Sequence, residues 1–348
     1  MSIKKTLSVI VPTYNVERYL HKCLSSLIVS DEKLFQCLEV IVIIDGATDN
    51  SSQIAHSYEN DYPEVFKVID KPNGNYGSCI NRGLKEATGK YIKILDADDS
   101  LETSVFSQYL SFLNNCNTDV VISGYRTVNE SGEPIRSYKR SFQEDTTLYW
   151  KDIYPSLTEH DHFAMIEVAY RSEVIKNIGY TQTEGISYTD QEWIFYPMQH
   201  MNTFCYIDII LYNYLIGREG QTVQHINYIK GFDAHRIIAL RMIDHLATLA
   251  DCNTLPIRYL RVNALWVLRV TYLFGLTQNI SSADIAKLKA LDKHLLEVSP
   301  DLYQQLDKAT TTIKKIRYHH IRNWRRSHGR FSRPLIIELL YKIYKRIK

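Results

Sequence analysis

The sequence predicts an α/β protein, with a mostly parallel central sheet flanked by helices and an α-helical extension at its C-terminal end. Over the first hundred of its 348 residues, short β-branched runs alternate with segments whose apolar residues recur at helical spacing. From about residue 226 onward only the helical spacing remains. Short connections between alternating strands and helices are typical of doubly wound sheets, which bind ligands beyond the carboxyl ends of their strands.

Four buried strands are predicted in the first hundred residues, from the apolar runs Leu7–Val11, Glu39–Ile44, Val65–Ile69 and Tyr91–Leu95. Helical spacing of apolar residues follows each of the first three runs, and the last of these helices ends at Gly89. The second strand leads into Asp45 and the fourth into Asp96–Asp99. Both acidic segments are therefore expected at one edge of the sheet.

The remaining chain is predicted to be mixed and then helical. Residues 101–215 contain a helix around Phe106–Leu113, a strand at Val120–Ser123 and the apolar segments Met165–Tyr170 and Phe204–Tyr214. Further helices are predicted over residues 232–249, 257–276 and 283–296. We expect a catalytic domain at 1–220, with a nucleotide-binding half at 1–100 and an acceptor half at 101–220, and a helical region at 221–348.

The near-neutral net charge of +2 conceals an uneven distribution. Residues 313–348 contain twelve Lys and Arg residues against the single acidic Glu338, a net charge of +11, so the rest of the chain carries −9. The overall composition, 45% hydrophobic and 23% charged, excludes collagen-like, disordered and disulfide-scaffold proteins.

The cysteine pattern and the hydropathy predict a cytoplasmic chain. Its six cysteines are irregularly spaced without a Cys-x-x-Cys pair, which favours free thiols over a zinc ribbon or a redox motif. The apolar run Leu7–Val11 ends at Pro12 and is too short for a signal-peptide core. No uncharged apolar stretch reaches the roughly 18 residues that span a bilayer.

The acidic segment Asp96-Ala97-Asp98-Asp99 gathers carboxylates at one point of the sheet edge. Unpaired carboxylates at that spacing repel one another, and a divalent cation would remove the repulsion. Hard oxygen ligands suit Mg²⁺ or Mn²⁺, which keep coordination positions for phosphate oxygens. On this motif alone, a helix cap formed by Asp98, Asp99 or Ser100 explains the residues equally well.

The order and spacing of several motifs carry a resemblance to a known family. The sequence strongly resembles bacterial family 2 glycosyltransferases of the GT-A fold over residues 6–220, most densely over 6–100. The motifs are Ser8–Asn15, Val40–Gly46 followed by Thr48–Ser51, Asn73–Gly77 with Asn81–Leu84, Ala87–Ile92, and the acidic segment.

The resemblance implies a nucleotide-sugar donor, with a UDP-sugar favoured, a divalent metal, and transfer with inversion at the anomeric carbon. It places Pro12, Tyr14, Asn15 and Glu17 around the base, and Asp45 as an acceptor of hydrogen bonds from the base. Further nucleotide contacts are implied for the following residues: Asn73, Gly77, Ser78, Asp96 and Ala97. Asp98 would ligate the metal, with Asp96 on the ribose or the metal.

Inversion in one step requires a base that deprotonates the acceptor hydroxyl. The resemblance places this base in Ser187–Trp193, where Asp190 occupies its position and Glu192 is the second choice. Asp190 as a cap of the following helix is the alternative. Trp193 is expected to stack on the acceptor, although an aromatic residue on a helix is more often part of the core.

The predicted site is completed by Arg218 and His225, which follow the last predicted strand of the catalytic domain. Arg218, in a loop that resembles one found in many of these enzymes, is expected to face the donor phosphates or the acceptor. His225 is a candidate further metal ligand, as in some relatives. A lone histidine is more often structural, and that alternative stays open.

The basic C-terminal tail is predicted to contain an amphipathic helix at 335–348, with aliphatic residues opposite Lys and Arg. Such helices lie on anionic membrane surfaces, which favours a peripheral location on the inner face of the plasma membrane. A terminal helix packed on the protein is the alternative. Tyr318, Trp324 and Phe331 interleave with the charges, but no RNA-binding motif accompanies them, so we expect no nucleic-acid partner.

The sequence therefore predicts a metal-dependent glycosyltransferase that acts on a hydroxyl of a cell-surface glycan, either free or lipid-linked. Two other classes remain open: a nucleotidyltransferase that makes the sugar nucleotide, and an inactive binding module. The first would normally have a glycine-rich basic loop where this chain has Pro12–Asn15. The second should lack the metal or base carboxylate. A homo-oligomer is compatible with the sequence.

Overall fold

A computed structural model describes residues 4–158, 161–218, 225–249, 253–277, 281–313 and 316–330, with the backbone alone for 225–230, 277, 313 and 316. The strands are β1 (Leu7–Thr13), β2 (Leu38–Asp45), β3 (Phe66–Lys71), β4 (Tyr91–Ile94), β5 (Ser100–Leu101), β6 (Val120–Val128), β7 (Pro134–Tyr138), β8 (Leu148–Tyr149), β9 (Val168–Arg171), β10 (Thr203–Leu215), β11 (Thr311–Ile313) and β12 (Ile316–Tyr318). The α-helices are α1 (Glu17–Ser25), α2 (Glu32–Gln36), α3 (Ser51–Asp61), α4 (Asn75–Glu86), α5 (Thr103–Asn115), α6 (Trp150–Ile153), α7 (Ser172–Asn177), α8 (Asp190–Trp193), α9 (His225–Thr248), α10 (Leu255–Thr277), α11 (Ser282–Val298), α12 (Pro300–Leu306) and α13 (His320–Arg326).

The chain divides into two compact units. The first consists of residues 1–157 and 163–221, and it contains the central sheet. The second consists of residues 158–162 and 222–348, and its described elements are α9 to α13 with the hairpin β11–β12.

The central sheet has the strand order β3-β2-β1-β4-β9-β6-β10-β5. Its first four strands are parallel: Val9 pairs with Val40, and Ile10 pairs with Ile41 on one side and Ile94 on the other. The strands β1 and β2 are almost wholly buried, as continuous apolar runs in a sheet covered on both faces should be. The α/β fold class predicted from the strand–helix alternation is confirmed.

The second half of the sheet is more complex than the sequence predicts. Its long ladder, β6 with β10, is parallel, but the short strand β9 lies between β4 and β6 and is antiparallel to both. The strand β7 adds to the carboxyl half of β6 as an exposed antiparallel partner. Such short antiparallel strands have too few residues to show an apolar alternation.

In the second unit, the three long helices predicted from the apolar spacing are present as α9, α10 and α11. The short helices α12 and α13 were not predicted. A buried guanidinium joins them, because Arg325 forms ion pairs with Asp292 and Asp307 and lies 3.5 Å from the centroid of the Tyr303 ring. This cluster ties α13 to α11 and to the segment around α12.

Two general expectations can be compared with the structure. The cysteines at positions 23, 37, 79, 116 and 205 are free thiols, as predicted. Across the described part of the chain, none of the helices has both the length and the apolar character needed to cross a bilayer. The predicted tail helix at 335–348 lies outside the described residues.

Candidate active site

The carboxyl ends of β2, β1 and β4 lie side by side, because these strands are parallel and in register. Asp45 is the last residue of β2, and Asp96 follows β4 by two residues. The loop that begins at Tyr14 follows β1 between them. The structure therefore brings the three predicted donor-binding segments to one edge of the sheet.

The loop after β1 is built by side chains that bind the loop after β2. Asn15, in the left-handed region at φ 49°, accepts a hydrogen bond from the backbone N–H of Thr48 at 2.8 Å. Glu17 accepts from the backbone N–H of Asn50 at 2.8 Å and from its side-chain amide at 2.7 Å. These contacts leave Tyr14 52% exposed. Tyr14 is thus the side chain of this loop that is free to face a ligand, whereas Asn15 and Glu17 shape the loop.

Asp45 is deeply buried and already occupied by protein partners. Its carboxylate forms an ion pair with Lys71, the last residue of the neighbouring strand β3, and accepts from the backbone N–H of Gly74 at 2.9 Å. Asn73 donates its side-chain amide to the carbonyl of Asp45 at 2.9 Å. Lys71 also donates to Ser78 at 2.8 Å. In this structure Asp45 therefore holds the 73–78 loop in place.

The start of α4 packs closely on a second segment of the domain. A Cβ atom placed on Gly77 would lie 1.9 Å from the carbonyl oxygen of Thr183, so only glycine permits this approach. Thr183 is in turn held by Glu192, which accepts from its backbone N–H and its hydroxyl, both at 2.7 Å. Gly77 thus couples the donor half of the domain to the segment that carries Asp190.

The three carboxylates of the acidic turn after β4 have different partners. Asp99 is buried and accepts from the Tyr212 hydroxyl and the Leu215 backbone N–H, both at 2.7 Å. Asp96 accepts from the Tyr76 hydroxyl at 2.7 Å. Asp98 forms an ion pair with Arg218. Asp99 therefore anchors β10 to the turn, while Asp96 and Asp98 remain at the edge of the sheet.

The pKa shifts show that these carboxylates lie close to one another and to Asp190. Burial, together with the negative charges of Asp98 and Asp190, raises the pKa of Asp96 to about 7. Burial also raises the pKa of Asp190 and of the Tyr214 hydroxyl, and the charges of Asp99 and of the same three carboxylates contribute to the rise at Tyr214. The geometry thus concentrates negative charge around one point of the edge.

Asp190 begins the short helix α8 and is held by its neighbour. Its carboxylate accepts from the Gln191 side-chain amide at 2.9 Å. The preceding turn is fixed because Gln182, itself buried, donates to the carbonyl of Thr189 at 2.6 Å and to its hydroxyl at 3.0 Å. Glu192 is completely buried and bound to Thr183, which makes it a structural residue and not a proton acceptor for a substrate.

The predicted acceptor role of Trp193 is wrong. Its side chain is completely buried. Its ring makes edge-on contacts with the rings of Tyr170 and Tyr180, at centroid distances of 4.9 and 5.6 Å. No face of this indole is available to a ligand. Trp193 belongs to the core that supports α8, as the apolar residues that follow it in the sequence would allow.

Arg218 links the acidic turn to helix α1. Besides its ion pair with Asp98, its guanidinium lies 5.6 Å from the centroid of the Tyr19 ring. The Tyr19 hydroxyl donates to Glu130, in the turn between β6 and β7, at 3.1 Å. Arg218 therefore lies beside the acidic turn and pairs with a carboxylate, and its contact with the donor phosphates or the acceptor stays a prediction. The side chain of His225 lies outside the described residues.

Several residues of the site were not predicted from the sequence. They are Lys71, Tyr76, Gln182, Tyr212 and Tyr214. The signal that could have found the last two is their period-two spacing on an apolar strand, which puts both on one face of β10. Among the described residues, no group of three or more His, Cys, Asp or Glu side chains is arranged to hold a metal ion.

Comparisons with known proteins agree with this geometry. The sequence model of the family described as Glycosyl transferase family 2 matches residues 8–178. The MG025-homologue glycosyltransferase of Mycoplasma pneumoniae is 35% identical over 127 residues, which cover 36% of this chain and 41% of that protein. TarS of Staphylococcus aureus, a poly(ribitol-phosphate) beta-N-acetylglucosaminyltransferase, is 28% identical over 241 residues, which cover 69% of this chain and 40% of TarS. The chain spans less than half the length of these two curated relatives.

A solved structure shares the fold. The crystal structure of S. aureus TarS 1–349 in complex with UDP-GlcNAc superposes with a TM-score of 0.61 at 22% sequence identity. The superposition covers 85% of this chain and 82% of that chain. At this level of identity, the likeness establishes the fold.

Proposed function

Because the chain belongs to the bacterial family 2 glycosyltransferases and has their GT-A fold, we propose that it transfers a sugar from a UDP-sugar to a hydroxyl of a cell-surface polysaccharide. The observation that carries this proposal is the convergence of Asp96, Asp98 and Asp190 at the carboxyl edge of the sheet. The cation that accompanies the donor diphosphate needs carboxylates such as Asp96 and Asp98. The acceptor hydroxyl, which must lose a proton, needs a carboxylate such as Asp190.

The donor would lie across the carboxyl ends of β1, β2 and β4. The exposed Tyr14 ring offers a face for the uracil, and Asn15 and Glu17 keep the Tyr14 loop against residues 48–50. Asp45, Asn73 and Ser78 belong to one hydrogen-bonded loop on the other side of that position. Their proposed contacts with the nucleotide require Lys71 to share Asp45 with the base.

The residues at the acidic turn fit a divalent cation. Asp98 offers a hard carboxylate donor at the sheet edge, with Asp96 beside it, and Mg²⁺ or Mn²⁺ is commonly held by one or two carboxylates together with substrate phosphates. Such a cation would stabilise the negative charge that develops on the leaving diphosphate. Arg218, which balances Asp98 in this structure, would then be available to the diphosphate.

Asp190 would act as the general base. The acceptor oxygen forms a bond to the anomeric carbon on the face opposite the leaving group, while the bond between that carbon and the diphosphate oxygen breaks. The electron pair of the broken bond leaves with UDP, and the hydroxyl proton passes to the Asp190 carboxylate. The raised pKa of Asp190 favours this role, because a stronger base accepts the proton more readily.

We propose a polyol-phosphate or similar wall polymer as the acceptor, on the strength of the relatives. TarS is described as acting on poly(ribitol phosphate), and it matches 69% of this chain. Its structure in complex with UDP-GlcNAc shares the fold. A UDP-N-acetylhexosamine is therefore the first donor to test.

The test is release of UDP from a panel of UDP-sugars, with Mn²⁺ and poly(ribitol phosphate) present and absent. We expect acceptor-dependent release with at least one donor, loss of release on addition of EDTA, and loss in the Asp98→Asn variant. Formation of sugar nucleotide from UTP and a sugar phosphate would instead indicate a nucleotidyltransferase. UDP binding without turnover of any donor would indicate a binding module.

We also propose that the basic tail, residues 313–348, holds the enzyme against anionic lipid. The net charge of +11 supports this proposal, since each basic residue that reaches an anionic leaflet contributes about 1 kcal/mol. Arg325 does not contribute to this attraction, because it is buried in ion pairs with Asp292 and Asp307. Deletion of residues 334–348 should abolish sedimentation with anionic liposomes. Neither the full chain nor the deletion variant should sediment with neutral liposomes. Unchanged binding to anionic liposomes would refute the proposal.

A further inference from the structure

Three neighbouring strands carry a series of tyrosines from the acidic turn to the surface. On β10, Tyr212 pairs in register with Tyr125 of β6, which pairs across the antiparallel ladder with Tyr138 of β7. Residues paired in this way project from the same face of a sheet. The rings of Tyr125 and Tyr138 are stacked, with centroids 4.6 Å apart and planes 9° from parallel.

A second row runs beside the first, one pleat closer to the carboxyl end of β10. It consists of Tyr214 on β10, Thr127 on β6 and Arg136 on β7, again paired in register. The Arg136 guanidinium lies 4.8 Å from the centroid of the Tyr138 ring, which confirms that the two rows share a face. We call the surface formed by these six residues the tyrosine track.

The tyrosine track starts at the catalytic carboxylates. The Tyr212 hydroxyl donates to Asp99 and accepts from the backbone N–H of Asp96. The charges of Asp96, Asp98 and Asp190 all act on the Tyr214 hydroxyl. Tyr212 is completely buried, whereas Arg136 at the far end is exposed. The track therefore leads from the acidic turn to solvent, and its ends on β10 and β7 are two strand spacings, about 10 Å, apart.

Arg136 differs from the other cations of this region. Arg126 pairs with Glu102, Lys139 with Asp208, and Arg140 with Glu167. Arg136 forms an ion pair with no carboxylate in the described part of the chain, and its guanidinium lies over the Tyr138 ring. A guanidinium carries several N–H donors in a planar fork that matches the oxygens of a phosphate.

We propose that the tyrosine track binds the acceptor, as a polyol or sugar chain linked by phosphodiesters. Its hydroxyl-bearing units would lie along Tyr214 and Tyr125, and a phosphodiester would bind Arg136, which is two strand spacings from Tyr214. This inference rests on the proposed function, because it assigns the acceptor of that same reaction. Sugars and polyols pack well on aromatic rings that carry a polar tip, and tyrosine supplies both.

The test measures binding of a ribitol-phosphate oligomer of defined length by calorimetry at fixed ionic strength. We expect the Arg136→Ala and Tyr138→Ala variants to bind it at least tenfold more weakly, and Tyr138→Phe, which keeps the ring stack, to bind as the wild type does. Lys139→Ala is the matched control, since it removes the same charge three residues along the chain and that lysine already pairs with Asp208. The affinity for UDP should not change in any variant.

Three results would overturn the inference. The first is an equal loss in Arg136→Ala and Lys139→Ala, which would indicate general attraction of a polyanion. The second is unchanged binding in both Arg136→Ala and Tyr138→Ala while circular dichroism reports a native fold. The third is wild-type protein that binds a neutral maltooligosaccharide as tightly as the phosphate oligomer.

Failure of the proposed function gives a different pattern. If the wild type released no UDP from any donor but bound the oligomer through Arg136, the transferase proposal would fail and the assignment of the track would stand. If the wild type transferred sugar and Arg136→Ala did so with an unchanged KM for the oligomer, the track assignment alone would fail.

Discussion

Replacing Asp190 with asparagine should abolish transfer and leave the fold and the UDP affinity unchanged. A positioned general base contributes about 10²- to 10⁴-fold to the rate, so kcat should fall by that factor. This corresponds to about 3–5 kcal/mol in the activation barrier. Asparagine has the same shape, and its side-chain oxygen can still accept the hydrogen bond from Gln191.

The same substitution should cost little stability. Burial raises the pKa of Asp190, so its ionised form is unfavourable in the folded protein near neutral pH. A neutral amide removes that cost, and we expect the thermal midpoint to be unchanged or slightly higher. The assay is steady-state UDP release for kcat, calorimetry for UDP binding, and differential scanning fluorimetry for the midpoint.

Glu192→Gln is the matched control, two residues along the same helix. Because Glu192 accepts from the backbone and the hydroxyl of Thr183, the amide group of glutamine would leave one buried donor without an acceptor. The cost should be about 1–3 kcal/mol, seen as a lower midpoint and not as a specific loss of kcat.

The pH profile separates the two roles further. The base must be ionised, so the acid limb of kcat should follow the raised pKa of Asp190 and lie above the ordinary range near pH 4. Activity should therefore rise with pH through that limb. An Asp190→Asn enzyme that retains more than a tenth of wild-type kcat, or keeps the same acid limb, would refute the assignment of the base.

Three other predictions concern the frame of the site. Gly77→Ala should lower the unfolding free energy by about 1–3 kcal/mol and weaken UDP binding in calorimetry, because its Cβ would meet the Thr183 carbonyl at 1.9 Å. Trp193→Ala should lose about 3–5 kcal/mol in urea unfolding, whereas Trp193→Phe should keep the wild-type KM for the acceptor, since the indole is buried. Burial lowers the pKa of Lys93 to about 7, so the unfolded chain binds more protons above that pH and the urea midpoint should rise from pH 7 to 9.5. Lys93→Met should show no such rise.

The fold of residues 1–100, the predicted nucleotide-binding half, was predictable because its strands are β-branched and β1 and β2 are buried on both faces. Each such run, for example Glu39–Ile44, has one structural solution, and the parallel order then fixes where Asp45 and the acidic turn must lie. Strand ends moved by one or two residues, since Pro12 continues β1 at a position where the sequence suggests a stop. The placement of Asp45 and the acidic turn at one edge therefore followed from the pattern, whereas their roles toward a donor are implied by the family resemblance.

The fold of residues 101–220, the predicted acceptor half, was not predictable to the same degree. The edge strand β7 is exposed along most of its length and has no apolar face, so nothing in its composition distinguishes it from a loop. Its conformation depends on its pairing with β6, which is a tertiary contact. For the same reason the grouping of Tyr212, Tyr125 and Tyr138 could not be predicted, because only the registers of β10, β6 and β7 place them in one row.

Individual side-chain roles depended on burial, which spacing does not reveal. Trp193 and Glu192 follow Asp190 within a few residues, yet both are completely buried while Asp190 lies near the carboxylates of the acidic turn. The turn at Tyr188, with φ 63°, and the hydrogen bonds from Gln182 to Thr189 set this difference. A motif can indicate which short segment carries the base, but the local turn decides which carboxylate is available.

The distribution of charge connects these observations. A carboxylate-rich edge would repel a diphosphate donor and a phosphodiester acceptor alike, so each must meet positive charge before it can bind. Two cations at the edge are paired with carboxylates in this structure, Lys71 with Asp45 and Arg218 with Asp98, and each pair is largely shielded from solvent. The donor phosphates can therefore bind these cations only by displacing their carboxylate partners. A divalent ion at Asp98 would favour this displacement, because it would compensate the carboxylate that Arg218 leaves.

The acceptor need not displace a carboxylate, because Arg136 has no carboxylate partner among the described residues and lies at the outer end of the track. On this reasoning donor binding should depend steeply on the cation, whereas acceptor binding should depend on ionic strength and on Arg136.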